Sequence, residues 1–338
     1  MRKHILHIKL MVILAFVFSV GKTQDPQFSQ FYAAPLYLAP SFAGSTGGGR
    51  VILNFRDQWP QLASTYVTYA FSADYYYDKY KSGIGLLVLR DQAGEDGMMN
   101  TTNVGLVSSY NFNVNPNWSI RPGLSAYYYN RMIDFNAFRF GDQILRGDSY
   151  GNAGSSVEMT TLQDLEPVSH VDFATSVMAY SETYWFGFTL DHLMYYSEIL
   201  SEEGDYLHPR YSAFGGAKYN IYGNTLKRKE ESITIAMNFM MQNRLKYLDL
   251  GLYYTKEPVI FGLWYRGLPI FPNNPNVGAL AVSVGVKYKG IHFGYSYDIT
   301  LSKLINQTGG AHEISLAYVF NEQKKRRTRH KMVPCPAM

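Results

Sequence analysis

Apolar and polar residues alternate with a period of two through most of the chain. The clearest stretch lies near its end, where apolar positions are separated by polar or small ones: Val282, Val284, Val286 and Tyr288 against Ser283, Gly285, Lys287 and Lys289. Because successive residues of a strand point to opposite faces, this pattern predicts strands with one apolar face. Fourteen strands are predicted, at residues 50–59, 64–76, 81–92, 101–113, 117–131, 168–179, 182–192, 206–221, 231–243, 245–254, 257–267, 277–287, 290–298 and 311–320.

The predicted connections differ in length at the two ends of these strands. At one end they are short, with 222–230 as the longer exception: 77–80, 114–116, 180–181, 255–256 and 288–289. At the other end most are long: 92–100, 132–167, 193–205, 268–276 and 299–310. This asymmetry and the even strand number are typical of outer-membrane barrels, whose short turns and both chain ends are periplasmic. A soluble sandwich also alternates, so loop length favours the prediction of an all-β, antiparallel outer-membrane barrel of about 14 strands over residues 50–320.

Three segments lie outside the predicted barrel. Residues 1–23 place Arg2 and Lys3 before an apolar run, which predicts a signal peptide cleaved near residues 21–23. Residues 24–49 contain aromatic residues and prolines with weak strand periodicity, and we interpret them as a periplasmic or plug-like segment, with a frayed arm as the alternative. Residues 321–338 form a basic tail that is predicted to be periplasmic.

Composition and charge narrow the class of protein. Hydrophobic residues make up 46% of the chain, yet the mean hydropathy is −0.18, so the apolar residues are dispersed rather than collected in spanning helices. The net charge of +4 arises in the predicted leader, whose basic residues have no acidic counterpart: Arg2, Lys3, Lys9 and Lys22. The rest of the chain is formally neutral, and its basic residues are concentrated in the tail. No nucleic-acid partner is expected, because binding would need basic residues on a folded face.

Enzymatic, metal and cofactor chemistry is not indicated by the residue pattern. The histidines are scattered over different strands without metal-ligand spacing, and Cys335 lies alone in the tail. Asp191, His192 and Ser197 have the side-chain types of a hydrolase catalytic triad and are called the hydrolytic trio below. Adjacent strand residues point to opposite faces, however, so we expect Asp191 and His192 not to converge on one site. The sequence predicts a protein that is not an enzyme and that needs no cofactor.

An ordered set of short motifs carries a resemblance to a known family. The set includes Gln24–Phe31 (QDPQFSQF), Pro40–Gly44 (PSFAG), Arg56–Pro60 (RDQWP), Tyr295–Asp298 (YSYD) and Gly310–Glu313 (GAHE). In this order the motifs resemble the PorP/SprF family of type IX secretion system membrane proteins from Bacteroidetes. The chain departs from the family where Ala39 replaces the usual Asn and where the basic tail follows the last strand.

The resemblance implies an outer-membrane accessory of type IX secretion that supports export or surface attachment of proteins with a type IX C-terminal targeting domain. Such exported proteins are often adhesins, and some family members work in gliding motility. The implied partners are that C-terminal domain, the periplasmic ring and translocon components, and outer-membrane lipid and lipopolysaccharide. The candidate partner-binding residues are Asp25, Pro26, Gln27, Phe28, Phe31, Arg56, Gln58, Trp59, Lys324, Lys325, Arg326 and Arg327.

Two further hypotheses stay open from sequence. The connections 132–167 and 193–205 are long enough to hold an exported partner, or they are ordinary surface loops. The alternative function is a passive porin, or a channel for solutes or hydrophobic ligands, with a polar lumen that includes Arg56, Arg121, Lys218 and Arg266.

Overall fold

The computed structural model describes the chain in eleven parts: residues 25–62, 65–94, 97–134, 167–194, 196, 207–221, 231–243, 245–267, 278–301, 308–321 and 333–334. The predicted leader, most of the two long connections, the basic residues from Lys324 to Arg327, and Cys335 lie outside these parts.

Antiparallel strands make up nearly all of the described chain. They are β1 (Gly49–Gln58), β2 (Tyr66–Tyr77), β3 (Ser82–Ala93), β4 (Met99–Tyr110), β5 (Phe112–Asn113), β6 (Ser119–Ile133), β7 (Val168–Tyr180), β8 (Tyr184–Asp191), β9 (Arg210–Asn220), β10 (Glu231–Gln242), β11 (Leu245–Lys256), β12 (Val259–Arg266), β13 (Ala279–Tyr288), β14 (Ile291–Thr300) and β15 (Ala311–Phe320). A single α-helical turn, Pro35–Leu38, and 3₁₀ turns at Phe31–Ala33, Pro40–Phe42 and Asp78–Tyr80 complete the described elements.

The sheet closes on itself as a barrel. Consecutive strands pair with each other, except that β4 pairs with β6 and not with β5, and β1 pairs with β15 from Gly49 opposite Phe320 to Gln58 opposite Ala311. Strands β4 and β5 pair with β6 in one common register, so they are two parts of the predicted strand 101–113, interrupted at Asn111. The prediction of a 14-stranded outer-membrane-type barrel is therefore confirmed, with one short additional strand.

The outer face of the barrel is apolar and the inner face is filled. On β12, Phe261 and Leu263 are about half exposed on the outside, whereas Ile260 and Trp264 are buried inside. Similar alternation on the other strands gives a continuous apolar outer surface, which suits contact with lipid and would be costly in water.

Among the described residues, no helix has the length and apolar character needed to cross a bilayer.

The two ends of the barrel can be distinguished by their connections. Short turns join the strands at the end where Gly49 pairs with Phe320, as in the two-residue turn of Lys289 and Gly290, both with positive φ. We call this the short-turn end. The opposite, long-loop end contains the end of β8, the start of β9, and the ends of β12 and β14. The short turn at Lys289 and Gly290 has positive φ at both residues because a two-residue turn of this kind matches the twist of the strands that it joins, and glycine adopts positive φ readily.

Residues 25–48 lie inside the barrel and are called the plug below. Their backbone is held against the inner wall, where the Ser41 N–H donates to Ser176 Oγ (2.7 Å) and the Gly44 N–H donates to Asp74 Oδ2 (2.7 Å). Strand glycines allow this close approach: a Cβ on Gly83 would lie 2.1 Å from the Ala43 carbonyl oxygen. The wall is thus shaped to this segment.

The main apolar core of the protein lies between the plug and the barrel wall. The Phe31 ring packs edge-on against Trp264, with 4.7 Å between ring centroids. Tyr32 packs against Trp185, whose indole N–H donates to the Tyr32 hydroxyl (2.9 Å). In the tail, the described Val333 is buried and belongs to the same apolar cluster. The core therefore depends on a segment that precedes the first strand.

Candidate functional site

A buried polar cluster fixes the plug where the barrel closes. The carboxylate of Glu313 accepts hydrogen bonds from the N–H groups of Ser29 (2.6 Å) and Gln30 (3.1 Å). The Ser29 hydroxyl donates to Asp298 (2.5 Å) and also contacts Arg56. Arg56 in turn pairs with Asp298 (3.0 Å) and Glu313 (3.3 Å). We call these five residues the seam cluster, because β1, β14 and β15 supply its charged members at the closing pair of strands.

Arg266 extends the seam cluster to the neighbouring wall. Its guanidinium pairs with Asp298 (3.0 Å) and Asp249 (3.4 Å), and it donates to the Gln27 side-chain oxygen (3.2 Å). Charges buried from water are tolerated only when paired and hydrogen-bonded, and the plug supplies part of that pairing here. The plug is therefore an electrostatic component of the barrel as well as its apolar filling.

A second polar cluster holds the first described residue of the plug. Asp25 Oδ2 lies 2.8 Å from His192 Nε2 and 2.8 Å from an Arg210 guanidinium nitrogen. The other ring nitrogen of His192 lies 2.7 Å from Asp172, and Arg210 also pairs with Asp191 (3.0 Å). We call these five residues the Asp25 cluster. It connects the plug to the ends of β8 and β9 and to β7.

Asp25 and His192 of the Asp25 cluster both have pKa values shifted toward their charged forms. Burial opposes the charged form of His192, but the Asp25 and Asp172 carboxylates raise its pKa to about 10. Burial also opposes ionisation of Asp25, yet His192 and Arg210 hold the pKa of that carboxyl well below its ordinary value. His192 is therefore an imidazolium between two carboxylates, which suits a structural ion pair and not a general base.

The expectation that Asp191 and His192 point away from each other is wrong. His192 follows the end of β8 with a φ of 59°, which lies in the left-handed region and breaks the strand alternation. Both side chains are buried and join the Asp25 cluster. Ser197, the third member of the hydrolytic trio considered from sequence, lies outside the described residues.

The candidate partner-binding residues of the plug make contacts within the chain. Phe28 is buried against Ala70 and Leu89 and meets the Tyr37 ring edge-on at 5.6 Å. The Pro26 carbonyl accepts from the Tyr37 hydroxyl (2.6 Å). Pro26 therefore contacts the plug itself, whereas Phe28 binds the plug to the wall, as do Asp25, Gln27 and Phe31, described above.

The candidates of β1 are divided between the lumen and the long-loop end. Arg56 is buried in the seam cluster and donates to the Gln58 side-chain oxygen (3.1 Å). Trp59 follows the strand with a φ of 62°, packs against Tyr66 and donates its backbone N–H to Gly310 (2.8 Å). Lys324, Lys325, Arg326 and Arg327 lie outside the described residues.

Several charged residues in the two clusters or beside them were not predicted as site residues: Asp172, His192, Arg210, Asp249, Asp298 and Glu313. Asp298 and Glu313 appeared in the family motifs without an assigned role. A usable signal was present, because most of these charges occupy lumen-facing positions of predicted strands, where an uncompensated charge is costly. The sequence does not tell which segment compensates them.

A small cavity remains beside the Asp25 cluster at the long-loop end. Its volume is about 40 Å³, and its lining includes Asp25, Tyr37, Asp91, Arg131 and His170. That volume holds a few water molecules. Within the described parts of the chain, no group of three or more His, Cys, Asp or Glu residues is arranged to hold a metal ion.

Comparison with known proteins identifies the family. The family model for the type IX secretion system membrane protein PorP/SprF matches residues 20–318. No curated protein matches the chain. Among solved structures, CdiB from Acinetobacter baumannii is similar at a TM-score of 0.43 and 8% identity, over 80% of this chain and 60% of CdiB. The outer membrane protein Omp33 of the same organism is similar at a TM-score of 0.42 and 8% identity, and the match covers 80% of this chain and 98% of Omp33. The KdgM porin is similar at a TM-score of 0.35 and 11% identity, and the match covers 80% of this chain and 99% of the porin. The chain belongs to the PorP/SprF family of type IX secretion system membrane proteins.

Proposed function

We propose that this protein is a non-enzymatic, outer-membrane accessory component of the type IX secretion system. In this proposal it supports export or surface attachment of proteins with a type IX C-terminal targeting domain. Adhesins, including adhesins of gliding motility, are the proposed exported partners. Family membership supports a role as a membrane component of the secretion system, and the apolar outer face of the barrel supports contact with lipid and lipopolysaccharide.

The filled lumen is the observation that favours this function over a porin. A porin needs a water-filled channel with free polar groups on its wall. Here Arg56 binds Ser29 and Arg266 binds Gln27 of the plug, and Arg121 donates to the Ala43 carbonyl (3.3 Å) while lying between the Tyr76 and Tyr180 rings. These are three of the four charged residues considered as channel-lining from sequence.

Two surfaces are proposed to contact partners. The long connections 132–167 and 193–205 are proposed to contact the exported protein, because the strands that they join end at the long-loop end of the plugged barrel. The basic residues Lys324, Lys325, Arg326 and Arg327 are proposed to dock on an acidic component of the periplasmic ring. In this proposal the barrel acts as a closed anchor between the two surfaces.

A complementation experiment in the native host tests the secretion role. Deleting the gene should release an exported partner from the cell surface, and the wild-type gene should restore it. A barrel that lacks Gly147–Ser156 should assemble normally and restore less surface partner than wild type. Normal surface retention of all exported proteins in the gene-deletion strain would overturn the proposal.

Single-channel recording separates the accessory from the porin. We expect the purified wild-type protein in a planar bilayer to show no steady conductance, because the plug fills the lumen. Stable conductance at the level of an open porin, measured on the same correctly folded preparation, would reject the closed anchor and support the channel alternative.

A further inference from the structure

The plug runs through the barrel in one direction. Its first described residue, Asp25, is bonded to His192 and Arg210, which flank the connection between β8 and β9 at the long-loop end. Its last residue, Gly48, accepts a hydrogen bond from the Tyr76 N–H (3.0 Å) near the end of β2, at the short-turn end. The segment therefore joins the two mouths of the barrel.

Intermediate contacts follow the same order. Ser29 meets Asp298 and Glu313, which lie two residues from the long-loop ends of β14 and β15. Ser41 then meets Ser176 on β7, and Gly44 meets Asp74 on β2, closer to the short-turn end. The chain thus passes once along the lumen from Asp25 to Gly48.

This direction differs from the expectation that both chain ends are periplasmic. Gly49 and Phe320 are paired at the short-turn end, whereas Asp25 lies at the opposite end. In outer-membrane barrels the short turns are periplasmic and the long loops face outward. The physical reason for the difference is that the 24 plug residues from Asp25 to Gly48 precede the first strand and span the barrel.

We propose that the mature N-terminus is presented at the cell-surface mouth of the barrel, beside the base of the connection between β8 and β9. This inference rests on the proposed outer-membrane location and on removal of the leader ahead of Gln24. Asp25 is held there by two ion pairs, to side chains that are 2% and 8% exposed. The N-terminal residues then belong to the surface that an extracellular polypeptide partner contacts.

Cysteine labelling on intact cells tests this topology. Gln24→Cys is introduced into the full-length chain, in which Cys335→Ser removes the native thiol, and cells are treated with a membrane-impermeant maleimide. Gln61→Cys at the long-loop end and Asn117→Cys in an exposed short turn are the matched controls. We expect Gln24→Cys to be labelled on intact cells like Gln61→Cys, and Asn117→Cys to be labelled only after the outer membrane is permeabilised.

The outcomes separate this inference from the outer-membrane proposal. Labelling of Gln24→Cys together with Asn117→Cys, and not with Gln61→Cys, overturns the N-terminal topology. Labelling of Asn117→Cys on intact cells, with Gln61→Cys labelled only after permeabilisation, overturns the membrane orientation instead. Mass spectrometry of the mature N-terminus checks removal of the leader separately. If Gln24→Cys fails to assemble, an epitope with Gly-Ser spacers after Thr23 is read by antibody on intact cells. An epitope reached only after permeabilisation would also overturn the inference.

Discussion

Replacing Glu313 by Ala should destabilise the whole barrel, although the residue is a single side chain on the last strand. Glu313 is fully buried, accepts the N–H groups of Ser29 and Gln30, and pairs with Arg56. The substitution leaves two buried N–H groups without their acceptor and removes one counterion from a buried guanidinium. Both the plug and the closing strand pair lose a bond.

The magnitude follows from these lost contacts. Each unsatisfied buried group costs about 1–3 kcal/mol, and breaking a buried ion pair costs about 3–5 kcal/mol. Arg56 keeps Asp298 as a partner, so the ion-pair loss falls at the low end of its range. We expect Glu313→Ala to lower the free energy of unfolding by at least about 5 kcal/mol. Glu313→Gln retains one acceptor oxygen and should lose about half as much.

Urea unfolding in phospholipid vesicles, followed by tryptophan fluorescence, measures this difference. Trp185 and Trp264 contact the plug, so their emission reports its release. Glu182→Ala, in an exposed turn, is the control and should stay within about 0.5 kcal/mol of wild type. If Glu313→Ala unfolds at the wild-type urea concentration, the Glu313 carboxylate does not hold the plug and the reasoning is refuted.

Two further predictions concern the plug contacts. Phe31→Ala should lower the free energy of unfolding by about 3–5 kcal/mol, because a buried ring is lost beside Trp264. The same urea assay measures it, and an equal loss for the outward-facing Phe261→Ala would contradict a specific role of the plug. The second prediction concerns pH: the pKa of His192 is raised from 6.5 to about 10 in the folded protein, so its stabilising contribution is complete below pH 6.5 and is lost as pH rises through about 10. The melting temperature of wild type should therefore approach that of His192→Gln between about pH 7 and pH 10.5. A difference that stays constant over this range would disprove the ion pair.

Strand positions were predictable because alternation is a local property of the sequence. Strand β12, for example, is predicted at 257–267 and spans Val259–Arg266. The pattern of long and short connections likewise identified the two ends of the barrel. What alternation specifies is which side chains face inward. Alternation does not specify which other groups of the chain contact those side chains.

The clusters could not be predicted because their bonds join distant parts of the chain. Ser29 and Glu313 are 284 positions apart, and the plug has no periodicity that would indicate a wall contact. At His192 a local rule failed as well, because a single left-handed residue returned the side chain to the lumen. The interruption at Asn111 is different, because it divides a predicted strand into β4 and β5 while the register against β6 is kept.

The seam between the first and last strands limits the order of events in biogenesis. The plug precedes β1 in the chain and lies within the closed barrel, where its aromatic rings pack between side chains of the wall. Threading it through a finished barrel would require those contacts to open again. The simpler order places the plug against β14 and β15 before β1 completes the ring. In that order, Ser29 and Gln30 bring the beginning and the end of the chain together through Glu313, and the ring cannot close until β15, its last strand, is available to β1.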